Sequence, residues 1–376
     1  MSEYQYYEFQ AIDRPLTSKE MTALRACSTR ARITPTSFVN DYSWGDLKGD
    51  PDDWMERYFD AHLYVANWGT HILKLRLPER LLDLKTARVY ASGDHVSVRT
   101  TNGKVILTFH SEDEGVGDWE EGEGELAALI STRSEIARGD HRALYLGWLL
   151  SARSGDLEHD DLEPPVPPGL GQLSASLEAL ASFLRIDAEL LEVAAETSSP
   201  MGESEPGTDD VRHWISRLTA REKNRIIERL IAEGATQLGS ELLQRVRQGG
   251  GSTLKPTSMA KRRTVGEMLH AAEAANAERS RVASEKAARD KARREREAAL
   301  ARERHLDALV GKEDASWRQV DALIAATKPK TYDAAVKLLT DLRDLAARGN
   351  TTAFWRRMAA LRESHSGKAL LSPPAS

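Results

Sequence analysis

The chain has a single cysteine, Cys27, in 376 residues. Without a second thiol no internal disulfide forms, and no cysteine-based zinc site can be built. Cys27 lies in MTALRACSTR, where it shares a helical face with Met21 and Leu24; its expected role is that of a small buried hydrophobe. Long apolar runs are also missing. The longest bulky one, ALYLGWLL at Ala143–Leu150, falls far short of the roughly 20 residues a membrane span needs, so no membrane is expected among the partners. The opening MSEYQYYEFQ has neither the basic nor the apolar part of a secretion signal, which makes the cytoplasm the expected location. The motifs GxxxxGK(S/T), GxGxxG, GxSxG and HExxH are absent. Phosphate-cradling loops, nucleophile elbows and helical zinc pairs therefore have no support, and no cofactor or metal is indicated.

What is present is apolar residues at 40% and charged residues at 29%, enough for packed cores over a length that suggests two or three domains. The net charge of −6 hides a division. Residues 1–250 carry 27 Lys and Arg against 42 Asp and Glu, whereas residues 251–376 carry 25 against 16. An acidic front and a basic rear favour an anionic partner for the rear, or attraction between the two.

Patterning predicts an α+β N-terminal domain over 1–154. YQYYEFQ and TSFVNDYSW read as strands, HLYVANW and HILKLRLP as a strand pair across Gly69-Thr70. Asn102-Gly103 between alternating apolar runs supplies the positive φ angles of a type I′ turn. Thr17 with Glu20 forms a capping box, and Asp50-Pro51 an N-cap with proline in the first helical turn. The glycine-rich acidic stretch EDEGVGDWEEGEGE from Glu112 does not match a calcium loop and reads as a solvated loop. Residues 155–171, acidic and then proline-rich, read as a linker; 172–247 as a helical domain; 248–263, with QGGGSTLKPTS, as a flexible linker.

The rear, 264–311, reads as one long charged helix opened by Thr264 and Glu267. Its stretch KAARDKARREREAALARER, Lys286–Arg304, has almost no large apolar side chain. Between Arg279 and Arg304 only Val282 and Leu300 could fill core positions of a coiled coil, so a solvated rod is expected, with pairing to another chain or nucleic-acid binding through Arg289, Arg293, Arg294 and Arg296 as alternatives. Over 312–371 three apolar faces return: Trp317, Val320, Leu323 and Ile324; then Tyr332, Val336, Leu339, Leu342 and Leu345; then Phe354, Met358 and Leu361. These predict a small helical module whose last helix offers Arg356, Arg357 and Arg362 to a nucleic acid.

The stretch TYDAAVKLLTDLRDLAARGNTTAFWRRMAALRESHSGKALL, Thr331–Leu371, resembles the helical tail of bacterial SWIM zinc-finger proteins. YFDAHLYVANWGT and DLEPPVPPGLGQLSASLEALASFLRI resemble an uncharacterised bacterial protein family. The CxC and CxH zinc residues of a SWIM domain are missing, so that domain's metal and DNA functions do not carry over.

For catalysis the strongest constellation is in FDAHLYVANWGTH, where Asp60, His62 and His71 converge if the two strands pair suitably, as a general base or ligand set. The expectation that follows from the whole is a cytoplasmic protein-interaction protein, a scaffold or adaptor. The alternatives are nucleic-acid binding through the basic rear and a hydrolytic or metal-dependent enzyme at Asp60, His62 and His71. Another protein or a nucleic acid is thus the expected partner.

Overall fold

Strand β1 (Gln5–Gln10) is central to the fold because it pairs on both sides, antiparallel to β3 (Ser37–Tyr42) and to β4 (Ala61–Ala66). The computed structural model describes residues 4–112, 122–201, 208–233, 262–326, 329–349 and 351–364, with 238, 239, 241–243, 245 and 246. The acidic stretch at 113–121 and the glycine-rich linker at 247–261 lie outside the described residues. Between β1 and β3 come α1 (Ser18–Cys27) and the short β2 (Arg32–Ile33); α2 (Pro51–Arg57) precedes β4, and β5 (His71–Pro78), α3 (Leu84–Tyr90), β6 (Val96–Thr101) and β7 (Lys104–Ser111) follow. The sheet has seven strands in the order β2-β3-β1-β4-β5-β7-β6, and all six pairings are antiparallel. The β6–β7 hairpin turns at Asn102 and Gly103, with φ of 48° and 71°, and Thr101 pairs with Lys104. Both φ angles are positive, as a two-residue turn matched to the twist of the strands requires.

The period of two along each strand divides the side chains between two cores. On one face Leu63, Val65, Leu73, Leu75, Leu107 and Phe109 meet a helical layer. That layer is α4 (Glu125–Leu129), α5 (Ser131–Ala137), α6 (Arg142–Ser154), α7 (Ala175–Phe183) and α8 (Ala188–Ala195). On the other face Tyr7, Phe9, Phe38 and Tyr64 pack with Leu24 of α1 and Trp54 and Met55 of α2. Cys27 is partly buried against this second cluster. Each large side chain removed from water contributes about 1.5–3 kcal/mol. Helix α6 lies close on the sheet at Gly147, where a Cβ would come within 2.6 Å of Val96 and 2.9 Å of Phe109.

The chain divides into two compact units, Met1–Glu278 and Arg279–Ser376. Within 155–171, expected as a linker, Asp156, Glu158 and Leu162 are exposed, while Leu170 is buried in the core of the first unit and Leu157 and Val166 are partly buried against it. Leu170, Leu177, Leu180 and Leu190 join the strand residues there, as do Val265, Met268 and Ala272. The prolines have no N–H to give, yet their carbonyls serve as acceptors: Tyr90 donates to the Pro165 carbonyl at 2.8 Å and Ser198 to that of Pro167 at 2.8 Å. Proline removes a donor but keeps an acceptor, so this run is held through its carbonyls.

Beyond α8 come α9 (Thr208–Arg217), α10 (Ala220–Glu233) and the long α11 (Val265–Asp307). The capping box of α11 is formed, with Thr264 N donating to Glu267 Oε2 at 2.9 Å and Glu267 N to Thr264 Oγ1 at 3.2 Å. In the second unit α12 (Glu313–Ala325), α13 (Pro329–Ala347) and α14 (Thr351–Ser364) share a core of Trp317, Val320, Ile324, Leu339, Leu342, Phe354 and Leu361. Val336, expected in that core, is 56% exposed; its neighbour Ala335 takes the inward position, in step with Leu339 and Leu342. The end of α11 is clamped to α13 by charge. Arg302 bonds Asp341 and Asp344, His305 Nε2 meets Asp341 at 2.7 Å, and Arg348 reaches Asp307 at 2.8 Å. Burial acts to raise the pKa of Asp341, but its bonds from His305 and Arg302 hold it below the usual range.

Candidate functional site

Asp60 sits between α2 and β4 and is fully buried. Its Oδ2 accepts from the backbone N–H of Ile12 at 2.7 Å and Asp13 at 2.8 Å, and its Oδ1 from Arg76 Nε at 3.0 Å and Nη2 at 2.7 Å. Arg76 in turn gives Nη1 to the carbonyls of Met55 and Glu56, each at 2.8 Å. Burial alone would push the Asp60 carboxyl up; the Arg76 charge, the Asp13 N–H and Arg133 bring it below its ordinary value. With both oxygens engaged by donors, this carboxylate is a tie between segments rather than a proton acceptor.

The pairing register keeps the expected partners apart. His62 stands opposite Lys74, while His71 stands opposite Val65, so the two histidines project from opposite faces of the sheet. The expected convergence of Asp60, His62 and His71 therefore does not occur. His62 stacks on Phe9, with centroids 3.9 Å apart, and its Nδ1 donates to the Glu8 carbonyl at 3.1 Å. Its pKa is pushed down to about 3, chiefly by burial, which keeps the ring neutral. His71 lies against Phe183, gives Nδ1 to that residue's carbonyl at 3.1 Å and accepts at Nε2 from Arg185 at 3.3 Å, tying the β4–β5 turn to the end of α7.

Beside the Asp60 network lies a cleft of about 350 Å³, lined by Gln10, Ile12, Thr36, Ser131, Arg133 and Ser134 among others. Arg133 gives Nε to the Arg76 carbonyl at 2.7 Å and Nη2 to Asp13 at 2.8 Å, so its charge is largely answered from within. The sequence reading missed Asp13, Arg76 and Arg133, whose partners are far away along the chain. The available signal was Arg76 itself, a cation inside the apolar run ILKLRLP.

A second buried polar cluster fixes the start of α11. Tyr145 donates to Glu163 Oε1 at 2.5 Å, and Arg263 grips both Glu163 oxygens at 2.7 and 3.0 Å. Arg263 also reaches the Val193 carbonyl at 2.6 Å. Burial first, then the Glu163 charge, drives the Tyr145 hydroxyl far above its ordinary pKa. Backbone bonds run alongside, from Glu163 N to the Arg263 carbonyl and from Val265 N to the Asp161 carbonyl, each at 2.9 Å.

The open surface is elsewhere. No described side chain of α9 or α10 is buried, although each carries an apolar stripe. In α9 it is Val211, Trp214, Ile215 and, just past its end, Leu218; in α10 it is Ile226, Ile227, Leu230 and Ile231. Ile215 is 44% exposed, Ile227 54%, Leu230 45% and Ile231 82%. Thr219 and Glu222 cap α10 reciprocally at 2.8 and 3.3 Å. A charged tether holds that helix: Arg229 and Arg80 both bond Glu241, at 2.7 and 3.0 Å.

The cations expected to meet a nucleic acid are distributed differently. Arg289 is 83% exposed with Glu285 at 3.9 Å, and Arg293 lies between Asp290 at 3.1 Å and Glu297 at 4.0 Å. Arg294, Arg296 and Arg356 are exposed, while Arg362 is half-buried. Arg357 pairs with Asp314 and lies over the Trp317 ring at 5.8 Å. Among the described residues no group of three or more His, Cys, Asp and Glu is placed to hold a metal ion. No family model matches the chain, and neither a curated protein nor a solved structure is found to be similar to it.

Proposed function

We propose that this chain is a cytoplasmic protein-interaction protein, a scaffold or adaptor, and that it docks through α9 and α10. The observation that supports this reading is the uncovered stripe on those helices. Helices of 10 and 14 residues are marginal in water on their own, and most of their stability in proteins comes from packing an amphipathic face. Here Ile215, Ile227, Leu230 and Ile231 of that face are exposed and Val211, Trp214, Leu218 and Ile226 half-buried, while Phe9, Leu63, Leu75 and Phe109 in the two sheet cores are fully buried. Exposed apolar side chains along an amphipathic helix serve helix-to-groove or helix-to-helix recognition. No helix among the described residues is long and apolar enough to cross a membrane. Affinity capture from the native host, with wild-type chain against an Ile227→Glu, Ile231→Glu double variant, tests the reading. Species bound by the first and lost by the second are expected; identical capture by both would overturn it.

A second reading, nucleic-acid binding by the rear of the chain, is favoured by the exposure of Arg289, Arg294 and Arg296 along α11. From Glu278 to Arg304 ten Lys and Arg stand against six Asp and Glu, so the excess is modest. Anisotropy titrations of labelled DNA and RNA at two salt concentrations decide it, since phosphate contacts weaken steeply with salt.

A further inference from the structure

We propose that the stripe on α9 and α10 is covered by the same stripe of a second copy of this chain, with the two α10 helices antiparallel about a two-fold axis. This rests on the docking reading above and names its occupant.

The first support is the symmetry of the stripe. In α10 the apolar residues fall at i, i+1, i+4 and i+5: Ile226, Ile227, Leu230 and Ile231. Reversing the stripe about its own centre, between Glu228 and Arg229, exchanges Ile226 with Ile231 and Ile227 with Leu230. The α9 stripe behaves in the same way, Val211 exchanging with Leu218 and Trp214 with Ile215. A two-fold contact joins a patch to itself, and a face that maps onto itself on reversal meets that condition with every apolar side chain opposite another.

The second support is charge. The first half of α10 carries Arg221, Lys223 and Arg225 against Glu222, and its second half Glu228 and Glu233 against Arg229. Arg229 is already engaged by Glu241. In the register set by the stripe, the Lys223 and Arg225 positions of one helix flank the Glu233 position of the other and Glu228 faces Arg229, whereas a parallel copy stacks like on like. Over 208–233 six Lys and Arg balance five Asp and Glu. That near-neutral rim suits a protein partner better than an anionic lipid surface, which recruits helices rich in cations.

The experiment is sedimentation equilibrium and light scattering on the full chain between 1 and 100 μM, both concentrations being on the order of the range in which modest interfaces dissociate. A concentration-dependent dimer is expected. Ile231→Glu, at an exposed position, should raise its dissociation constant by about 100-fold while the circular dichroism melt of the first unit stays in place. Register is read by mixing Ile227→Cys and Leu230→Cys chains on a Cys27→Ser background: oxidation should cross-link the mixture well above either chain alone. A monomer throughout the range, or a dimer indifferent to Ile231→Glu, overturns the self-pairing. If the monomer still captures a foreign protein through Ile227 and Ile231, the docking reading stands and only its occupant falls.

Discussion

Helices α6 and α10 are nearly equal in length, at 13 and 14 residues, and sit in opposite circumstances. In α6 eleven residues are buried, from Arg142 to Ala152. In α10 no described side chain is. The first is apolar almost all round and lies between the sheet and further helices. The second has an apolar stripe of Ile226, Ile227, Leu230 and Ile231, reciprocal capping and a charged tether, local devices that set the helix while leaving most of the stripe exposed. Among the described residues, neither sheet core contains a residue of α9 or α10, and Ile215, Ile227, Leu230 and Ile231 stay exposed.

The sharpest way to break the comparison is to remove equivalent atoms from both sides. Asp60→Ala leaves the Arg76 guanidinium buried without its carboxylate and should cost about 3–5 kcal/mol, read by chemical denaturation. Leu146→Ala in α6 opens a cavity in the core it shares with the sheet and helices and should cost about 2–5 kcal/mol, whereas Ile231→Ala should leave the first unit's stability within about 0.5 kcal/mol. If Ile231→Ala proves as costly as Leu146→Ala, the stripe is part of the chain's own core.

A smaller effect comes from pH. The folded pKa of His62 is about 3, below its ordinary value of 6.5. Between those values the unfolded chain binds a proton that the folded chain does not. His62 therefore contributes full stability above pH 6.5, which drains away as pH falls toward 3, at about 1.4 kcal/mol per pH unit. His141, also lowered by burial, acts in the same direction. His62→Gln should flatten the dependence between pH 6 and 4, as measured by urea midpoints at a series of pH values; an unchanged slope would show that the ring is reached by protons in the folded state. The smallest effect belongs to the exposed ladder of α11, where Arg289→Ala should change stability by less than about 0.5 kcal/mol.

Much of the framework is local and could be read from the sequence. The type I′ turn at Asn102-Gly103, the capping boxes at Thr17, Thr219 and Thr264, and the β4–β5 hairpin all involve residues close in the chain. So does the three-helix unit, apart from Val336 and Leu345, whose neighbours Ala335 and Ala346 face the core. What escaped the sequence lies at long range. Glu163 meets Arg263 across 100 residues, Arg133 meets Asp13 across 120, and neither pair leaves a periodic trace. The run at 155–171 read as a linker from its composition, which gives no sign of the carbonyl bonds it accepts from Tyr90 and Ser198 or of the Leu162–Thr264 bridge. His62 and His71 illustrate the same limit. Their spacing allowed convergence, and only the register decided which face each took.

The clasp between Glu163 and Arg263 also sets a schedule for synthesis. A chain made from its N-terminus has the seven strands and α6 in hand while Val265 and Met268, which belong to the same core, have yet to be translated. At bacterial and eukaryotic elongation rates of about 5–20 residues per second, the 100 residues that separate Glu163 from Arg263 take roughly 5–20 s. Through that interval Glu163 lacks the Arg263 guanidinium that grips both its oxygens in the folded chain, so the first unit reaches its final form after most of its own length has left the ribosome.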